Sequence, residues 1–261
     1  MKLLEIFTNK HYRQLLSELT KREIAQRYKQ SILGYFWVIL NPLAQMFVMS
    51  FVFSKLFHVV GLGVPYSVFL FAGLLPWTLF SGSLISAANA LVGNAGLLSK
   101  IYFPREILVA STILAKVVDY FLASIIFVLM MIIFKVPVTW NVLWFIPIFL
   151  IQNLFSYAIG IILSAFNLFY RDIQYLLSLI LLIWMYLTPI VYSAETFPAA
   201  YRWIFQFNPM AIIINAYRQV ILAGGAPNFM SLGIAAILSI VLFVLAFRLF
   251  KKLEGQFADA V

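Results

Sequence analysis

The sequence predicts an all-α integral membrane protein: six transmembrane helices, an N-terminal amphipathic interface helix, and an outer re-entrant helical hairpin between spans five and six. Composition is the first observation behind this. Hydrophobic residues make up 64% of the 261 residues and charged residues only 10%, where a soluble domain carries roughly 25% charge. Mean hydropathy is the second, at +1.00. The third is that the charges are bunched, so that 30–54, 59–99, 136–170, 173–194 and 219–247 contain none. Each of these runs exceeds the about 20 apolar residues that a crossing needs. A soluble fold of this length cannot hide so much apolar surface, so the bilayer is its solvent.

The chain reads as a single transmembrane domain over 1–261, with cytoplasmic interface helices over 1–35, six spans over 36–250 and a cytoplasmic tail over 251–261. Thr20-Lys-Arg-Glu23 has the form of a capping box, with Thr20 as N-cap and Glu23 reaching back. From there Ile24, Ala25, Tyr28, Ile32 and Tyr35 fall on one helical face, and Arg22, Gln26, Arg27, Lys29 and Gln30 on the other. This predicts a helix lying in the inner headgroup layer with its basic side toward water.

The spans are expected near 36–56, 67–92, 107–134, 142–166, 174–193 and 229–250. Gly61, Gly63 and Pro65 mark 58–66 as an external loop. The third span is interrupted by Lys116 and Asp119, which share a helix face at i, i+3 and are expected to pair. Charges at that depth face a bundle interior or a cavity, and a self-neutralising structural pair is the plainer alternative.

Between spans two and three, Leu98-Ser-Lys-Ile-Tyr-Phe-Pro-Arg-Glu-Ile-Leu108 is too polar for lipid and too short for a domain. It reads as a cytoplasmic knob built to touch something. Between spans five and six, Asn208 followed by Pro209 forms a helix start. Gly224-Gly225 supplies the stop. The intervening helix of about 22 Å is shorter than the about 30 Å hydrocarbon core and carries Asn215 and Arg218. With Ala199–Phe207 before it, the expectation is a hairpin dipping into the outer leaflet, either a gate over a pathway or a plain extracellular cap.

Basic residues set the orientation. Lys2, Lys10, Arg13, Lys21, Arg22, Arg27 and Lys29 precede the first span. With six spans, Lys100, Arg105, Arg171, Arg248, Lys251 and Lys252 fall on the same side. Lys55, Lys135, Arg202 and Arg218 fall on the other. Both termini are therefore expected in the cytoplasm. The net charge of +9 suits anionic membrane lipids and no nucleic acid. No cleavable signal peptide is read, because Glu5 and the polar 8–31 stretch stand where its apolar region would be.

Catalytic equipment is sparse. Cysteine is absent, the two histidines, His11 and His58, lie far apart, and the nine acidic residues form no paired set inside the spans. Gly93-Asn-Ala-Gly-Leu-Leu-Ser-Lys100 does not match a phosphate-binding loop. No metal or cofactor is expected in this chain. Aromatic clusters such as Tyr35-Phe36-Trp37, Trp184-Met-Tyr186 and Tyr192 suit stacking on sugar rings along a channel, and equally suit lipid-facing belts.

Together the motifs resemble the membrane subunit of a type-2 ABC exporter, of the branch that moves lipid-linked polysaccharides such as O-antigen, capsule or teichoic acid. The resemblance covers essentially the whole chain. Its marks are Arg27-Tyr28 with Ser31, Leu33-Gly34 and Trp37; Gly73-Leu-Leu-Pro-Trp77; the 98–108 segment; Asn167-Leu-Phe-Tyr-Arg-Asp172; Thr188-Pro-Ile-Val-Tyr192; and Asn208-Pro209 with Arg218. Val109 stands where the family often has Pro.

The resemblance implies a pore of two copies of this chain in the inner membrane of a bacterium. It implies two copies of a separate cytoplasmic ATPase subunit that bind the ATP and Mg. Lys100, Tyr102, Pro104, Arg105 and Glu106, with Arg22 and Arg27, would meet those subunits. Tyr35, Phe36, Trp37, Trp77, Trp184, Tyr186 and Tyr192 would line the polymer's path. Arg171 and Asp172 would close the cytoplasmic end of spans four and five, and Asn208, Pro209 and Arg218 would serve the outer gate. An ion-coupled secondary transporter or channel, and a membrane enzyme acting on a lipid-linked sugar, are the other classes in view. The first would need a coupling-ion site, and the second acids or histidines gathered at one membrane face. Neither feature is visible.

Overall fold

A computed structural model describes residues 9–29, 31–56, 63–98, 103–194, 197 and 203–257. Among these residues every regular element is helical. Helix α1 spans Lys10–Tyr28 and α2 Phe36–Phe51, the latter continued by a π turn over Val52–Leu56. Helix α3 covers Tyr66–Ala88, α4 Ala95–Leu98 and α5 Glu106–Ile133. A 3₁₀ turn over Trp140–Trp144 leads into α6, Phe145–Phe169, and α7 follows as Ile173–Tyr186. Two short helices, α8 at Trp203–Phe207 and α9 at Pro209–Ile221, precede α10, Phe229–Leu253.

Five segments are long and apolar enough to cross a bilayer: Phe36–Ser54, Tyr66–Ala88, Glu106–Ile133, Trp140–Phe169 and Phe229–Gln256. They match five of the six expected spans in place. The remaining one, expected over 174–193, is the 14-residue α7, about 21 Å long at 1.5 Å per residue. Pro189 accounts for the shortening. It has no N–H to donate and its ring disfavours a helical Thr188. The chain accordingly leaves the helix at Leu187 and turns back on itself, Ile190 N donating to the Thr188 carbonyl at 2.7 Å.

Helix α3 is the axis of the fold. It packs against α2, α5, α6, α7 and α9 and is buried over most of its surface, from Val68 and Leu70 to Phe80 and Leu84. Small residues at its crossing with α6 make this possible. Gly160 of α6 lies so close that an added Cβ would sit 2.9 Å from the Ala87 methyl, the close approach that small residues permit between membrane helices. Helix α10 covers the far face of α6. By contrast α2 and α7 present mostly apolar surface outward, including Phe47, Phe51, Leu179 and Ile183.

Helix α1 corrects the sequence reading in two ways. It begins at Lys10, capped by Asn9, whose Oδ1 accepts from His11 N at 2.9 Å. Thr20 is not an N-cap; it lies mid-helix and its Oγ1 donates to the Leu16 carbonyl at 2.7 Å, the back-bond that lets threonine sit inside a helix. The basic side is not wholly turned to water either. Leu19 is buried against Ile107, Leu108 and Ala87, and Arg22 and Arg27 point into the protein, where Arg22 bonds Asn94 and Arg27 bonds Asp119.

At the far end, the α7–α8 turn is held by side chains. Arg218 of α9 is buried, and its Nη1 donates to the Pro189 carbonyl at 2.6 Å, its Nη2 to the Ile190 carbonyl at 2.5 Å and to the Phe69 carbonyl at 3.2 Å. Its guanidinium also lies 3.7 Å from the Phe69 ring centre. Tyr66 donates to the Val191 carbonyl at 2.6 Å. Non-helical backbone at membrane depth is stable only where such partners replace water. Gly73 completes the arrangement, since an added Cβ there would meet Arg218 Nη2 at 2.6 Å.

Because a planar fork makes these bonds, Arg218→Lys should destabilise the protein by about 2 kcal/mol. Gly73→Ala should cost about 1–3 kcal/mol through overpacking. Thermal unfolding of the detergent-solubilised protein reads both, and unchanged midpoints for the two variants would contradict this account of the turn.

Candidate functional site

A polar cleft opens inside the expected membrane span, between α2, α3 and α5. It encloses about 250 Å³ and is lined by Trp37, Asn41 and Gln45 of α2, Thr78 of α3, and Lys116 and Asp119 of α5. Asn41 and Gln45 are one helical turn apart and so share a face. The expected Lys116–Asp119 pair is present at 3.5 Å. A stronger partner was not foreseen: Arg27, at the end of α1, reaches Asp119 at 2.9 Å. One carboxylate thus holds two cations, and the node carries a net positive charge. All three groups are largely buried, with side-chain exposures of 20% for Arg27, 15% for Asp119 and 26% for Lys116. Gly82 of α3 faces the Lys116 stem, where an added Cβ would lie 3.4 Å from Cδ. Lys116 stands ten residues into α5, about 15 Å from its start.

A second ion cluster has the inverse composition. Lys251 of α10 pairs with Glu106 at 2.7 Å and with Glu254 at 2.9 Å. Glu106 is fully buried, so it has no surface to offer a partner protein; burial beneath the C-terminal segment corrects its expected place on an exposed knob. Arg105 is also turned inward. It donates to the Glu254 carbonyl, and its guanidinium carbon lies 5.6 Å from the Phe257 ring centre. Pro104 is half-buried, and Lys100 and Tyr102 lie outside the described residues. The tie between the 103–106 segment and the C-terminus joins residues far apart in the chain. The clue in the sequence was Lys251 and Glu254 at i, i+3, followed by the apolar Phe257.

The remaining predicted residues divide by exposure. Tyr35, Phe36, Trp37 and Tyr186 are exposed. Trp77 is buried, its ring 5.6 Å from Phe80 and 6.4 Å from Trp184, so it sits in the core. Trp184 donates from Nε1 to Asn208 Oδ1 at 2.9 Å, and the Tyr192 hydroxyl donates to the Tyr186 carbonyl at 2.9 Å. Asn208 is the helix cap that was expected. Its Oδ1 accepts from Met210 N at 3.1 Å and Ala211 N at 3.3 Å, and Pro209 opens α9. Its Nδ2 donates to Thr188 Oγ1 at 2.9 Å. Gly224 ends this region with φ +63°, a left-handed conformation that glycine adopts without strain. Arg171 and Asp172 are exposed in the turn between α6 and α7.

The chemistry of the cleft is binding chemistry. It offers donors from Lys116, amide groups from Asn41 and Gln45, a hydroxyl from Thr78 and the indole of Trp37, a set suited to anionic and sugar-like groups.

Comparison with known proteins gives a consistent answer. The model of the family described as "ABC-2 type transporter" matches residues 14–222. The chain is 31% identical over 247 residues to the O-antigen export system permease protein RfbA of Klebsiella pneumoniae, covering 94% of each chain. It is 31% identical over 253 residues to the protein of that name in Myxococcus xanthus, covering 96% of each. It is 23% identical to the polysialic acid transport protein KpsM of Escherichia coli, over 89% of this chain and 91% of that one.

The second ion cluster yields a stability prediction. Lys251→Met should cost about 3 kcal/mol, because it strands the buried Glu106, and Glu106→Met with Lys251→Met together should recover much of that loss. Lys252→Met, at an exposed neighbour, should stay within about 0.5 kcal/mol. Denaturant unfolding of the solubilised protein decides, and equal effects at Lys251 and Lys252 would contradict the assignment.

Proposed function

We propose a role for this chain from its family: it belongs to the ABC-2 type transporters. Its role is the permease subunit of an ATP-driven exporter that moves a lipid-linked polysaccharide, an O-antigen in the first instance, across the cytoplasmic membrane of a bacterium. The observation that carries this reading is the likeness, along nearly the whole chain, to permeases named for O-antigen export. The cleft supports it, because a positive node beside amides, a hydroxyl and an indole suits the phosphate and sugar at the lipid-linked end of such a polymer.

The working unit is two copies of this chain with two copies of a cytoplasmic ATPase, which binds the ATP and Mg. The outward apolar faces of α2 and α7 are the surfaces a second copy would cover. Tyr35, Phe36, Trp37 and Tyr186 would then border the pathway, and Trp184 and Tyr192 would support it. Helix α1, with Lys100, Tyr102 and Pro104, would receive the ATPase stroke. Arg22 would pass it to Asn94, and Arg27 to Asp119 and so to the cleft. Both termini are cytoplasmic by the distribution of basic residues. Helix α7 and the turn after it make the sixth crossing, and α8 with α9 forms the outer re-entrant gate steadied by Arg218.

Affinity purification from native membranes tests this reading. The chain should bring down a soluble ATPase, the complex should hydrolyse ATP, and the isolated chain should show no turnover above background. An isolated chain that moves the polymer on an ion gradient alone would overturn it.

A further inference from the structure

We propose that a groove between α3, α5 and α9 holds one acyl chain of an anionic phospholipid, whose phosphate rests on Lys135. The groove adjoins the polar cleft, Tyr120 lining both, and encloses about 430 Å³. Along α5 it follows one face, from Tyr120 through Ser124, Phe127, Val128 and Met131 to Lys135. That is fifteen steps of the chain, or about 22 Å at the helical rise, more than half of the about 30 Å hydrocarbon core. Its walls are almost wholly carbon, with Ala72, Leu75 and Pro76 of α3 opposite. A long, apolar trough suits a single hydrocarbon chain. It offers a polysaccharide few of the hydrogen-bond partners that sugar hydroxyls need.

Two observations fix the occupant further. The rim residues Phe121, Val128 and Ile132 are exposed on the outside of the helix bundle, so the trough opens sideways, where lipid chains stand. At its end lies Lys135, with φ 53°, the one non-glycine residue of positive φ among those described. A lysine in that conformation is uncommon and costs free energy. It ends α5 and leaves an exposed cation at the mouth of an apolar trough. Among the described residues no carboxylate pairs with it. That is where the headgroup phosphate of a lipid seated in the trough falls, and Lys attracts such groups.

The test is native mass spectrometry of the solubilised, delipidated protein titrated with phosphatidylglycerol and, in parallel, with phosphatidylcholine. The unaltered protein should take up one phosphatidylglycerol per chain and prefer it over phosphatidylcholine. Lys135→Asn keeps a residue at ease with positive φ and removes the charge; it should weaken phosphatidylglycerol about tenfold, or about 1.4 kcal/mol, and abolish the headgroup preference. Ser124→Phe fills the trough and should remove both lipids. If Ser124→Phe does not fold, the Lys135→Asn titration decides alone. Equal uptake by the unaltered protein and Lys135→Asn, or uptake with no headgroup preference, would overturn the proposal. So would a change of oligomeric state in Ser124→Phe with lipid uptake intact, which would assign the trough to a second copy of the chain.

Discussion

Charge inside a membrane protein must find partners where it lies, and Asp119 is the partner that holds two of this chain's cations. A single carboxylate takes Arg27 from α1 and Lys116 from its own helix. Removing it would leave two largely buried cations facing each other, which no neighbouring side chain could relieve cheaply. The consequence is architectural. Arg27 anchors the end of helix α1 about 20 Å up α5 by the helical rise, and Arg22 fastens its middle to Asn94. The surface helix and the cleft therefore share one ion node and cannot move independently.

The same constraint recurs at the two ends of the bundle in different chemistry. Near the C-terminus one lysine pairs with two acids, locking the start of α5 to the end of α10. At the far end no acid is used. Arg218 bonds the Pro189 and Ile190 carbonyls left over where Pro189 breaks α7 and the Phe69 carbonyl of α3, and Gly73 leaves the space. Each device joins a helix end to a distant helix. In the proposed exporter, mechanical input at Glu106 or at α1 would reach the membrane interior through these ties.

Much of this was legible in the sequence. Charge-free runs located four of the five long spans, and the apolar stretch around Lys116 and Asp119 the fifth, with ends within about six residues, because the bilayer imposes length and polarity on helices directly. Asn208-Pro209 announced α9, since an N-cap followed by proline is a local signal. Long-range partners were not legible. Arg27 and Asp119 lie 92 positions apart, and no spacing rule joins them. Arg27 read as a water-facing residue for that reason, and Glu106 as part of an exposed knob because its cover, Lys251 and Phe257, arrives from the other end of the chain. Thr20 misled through its own chemistry, since a hydroxyl that caps helix starts also bonds backward inside them. Helix α7 was overestimated because hydropathy counts Pro189 as harmless, whereas geometry does not.

In the proposed mechanism the Arg27–Asp119 tie carries motion from α1 to the cleft. Charge exchange tests it most directly, using the permease reconstituted with its ATPase and polymer export measured against ATP hydrolysed. Arg27→Asp alone and Asp119→Arg alone should each lower export per ATP by about tenfold while hydrolysis continues. Combining the two substitutions places a carboxylate on α1 opposite two cations on α5, and should restore most of the loss. Singles that export normally, or an exchanged pair as defective as the worse single, would contradict the account.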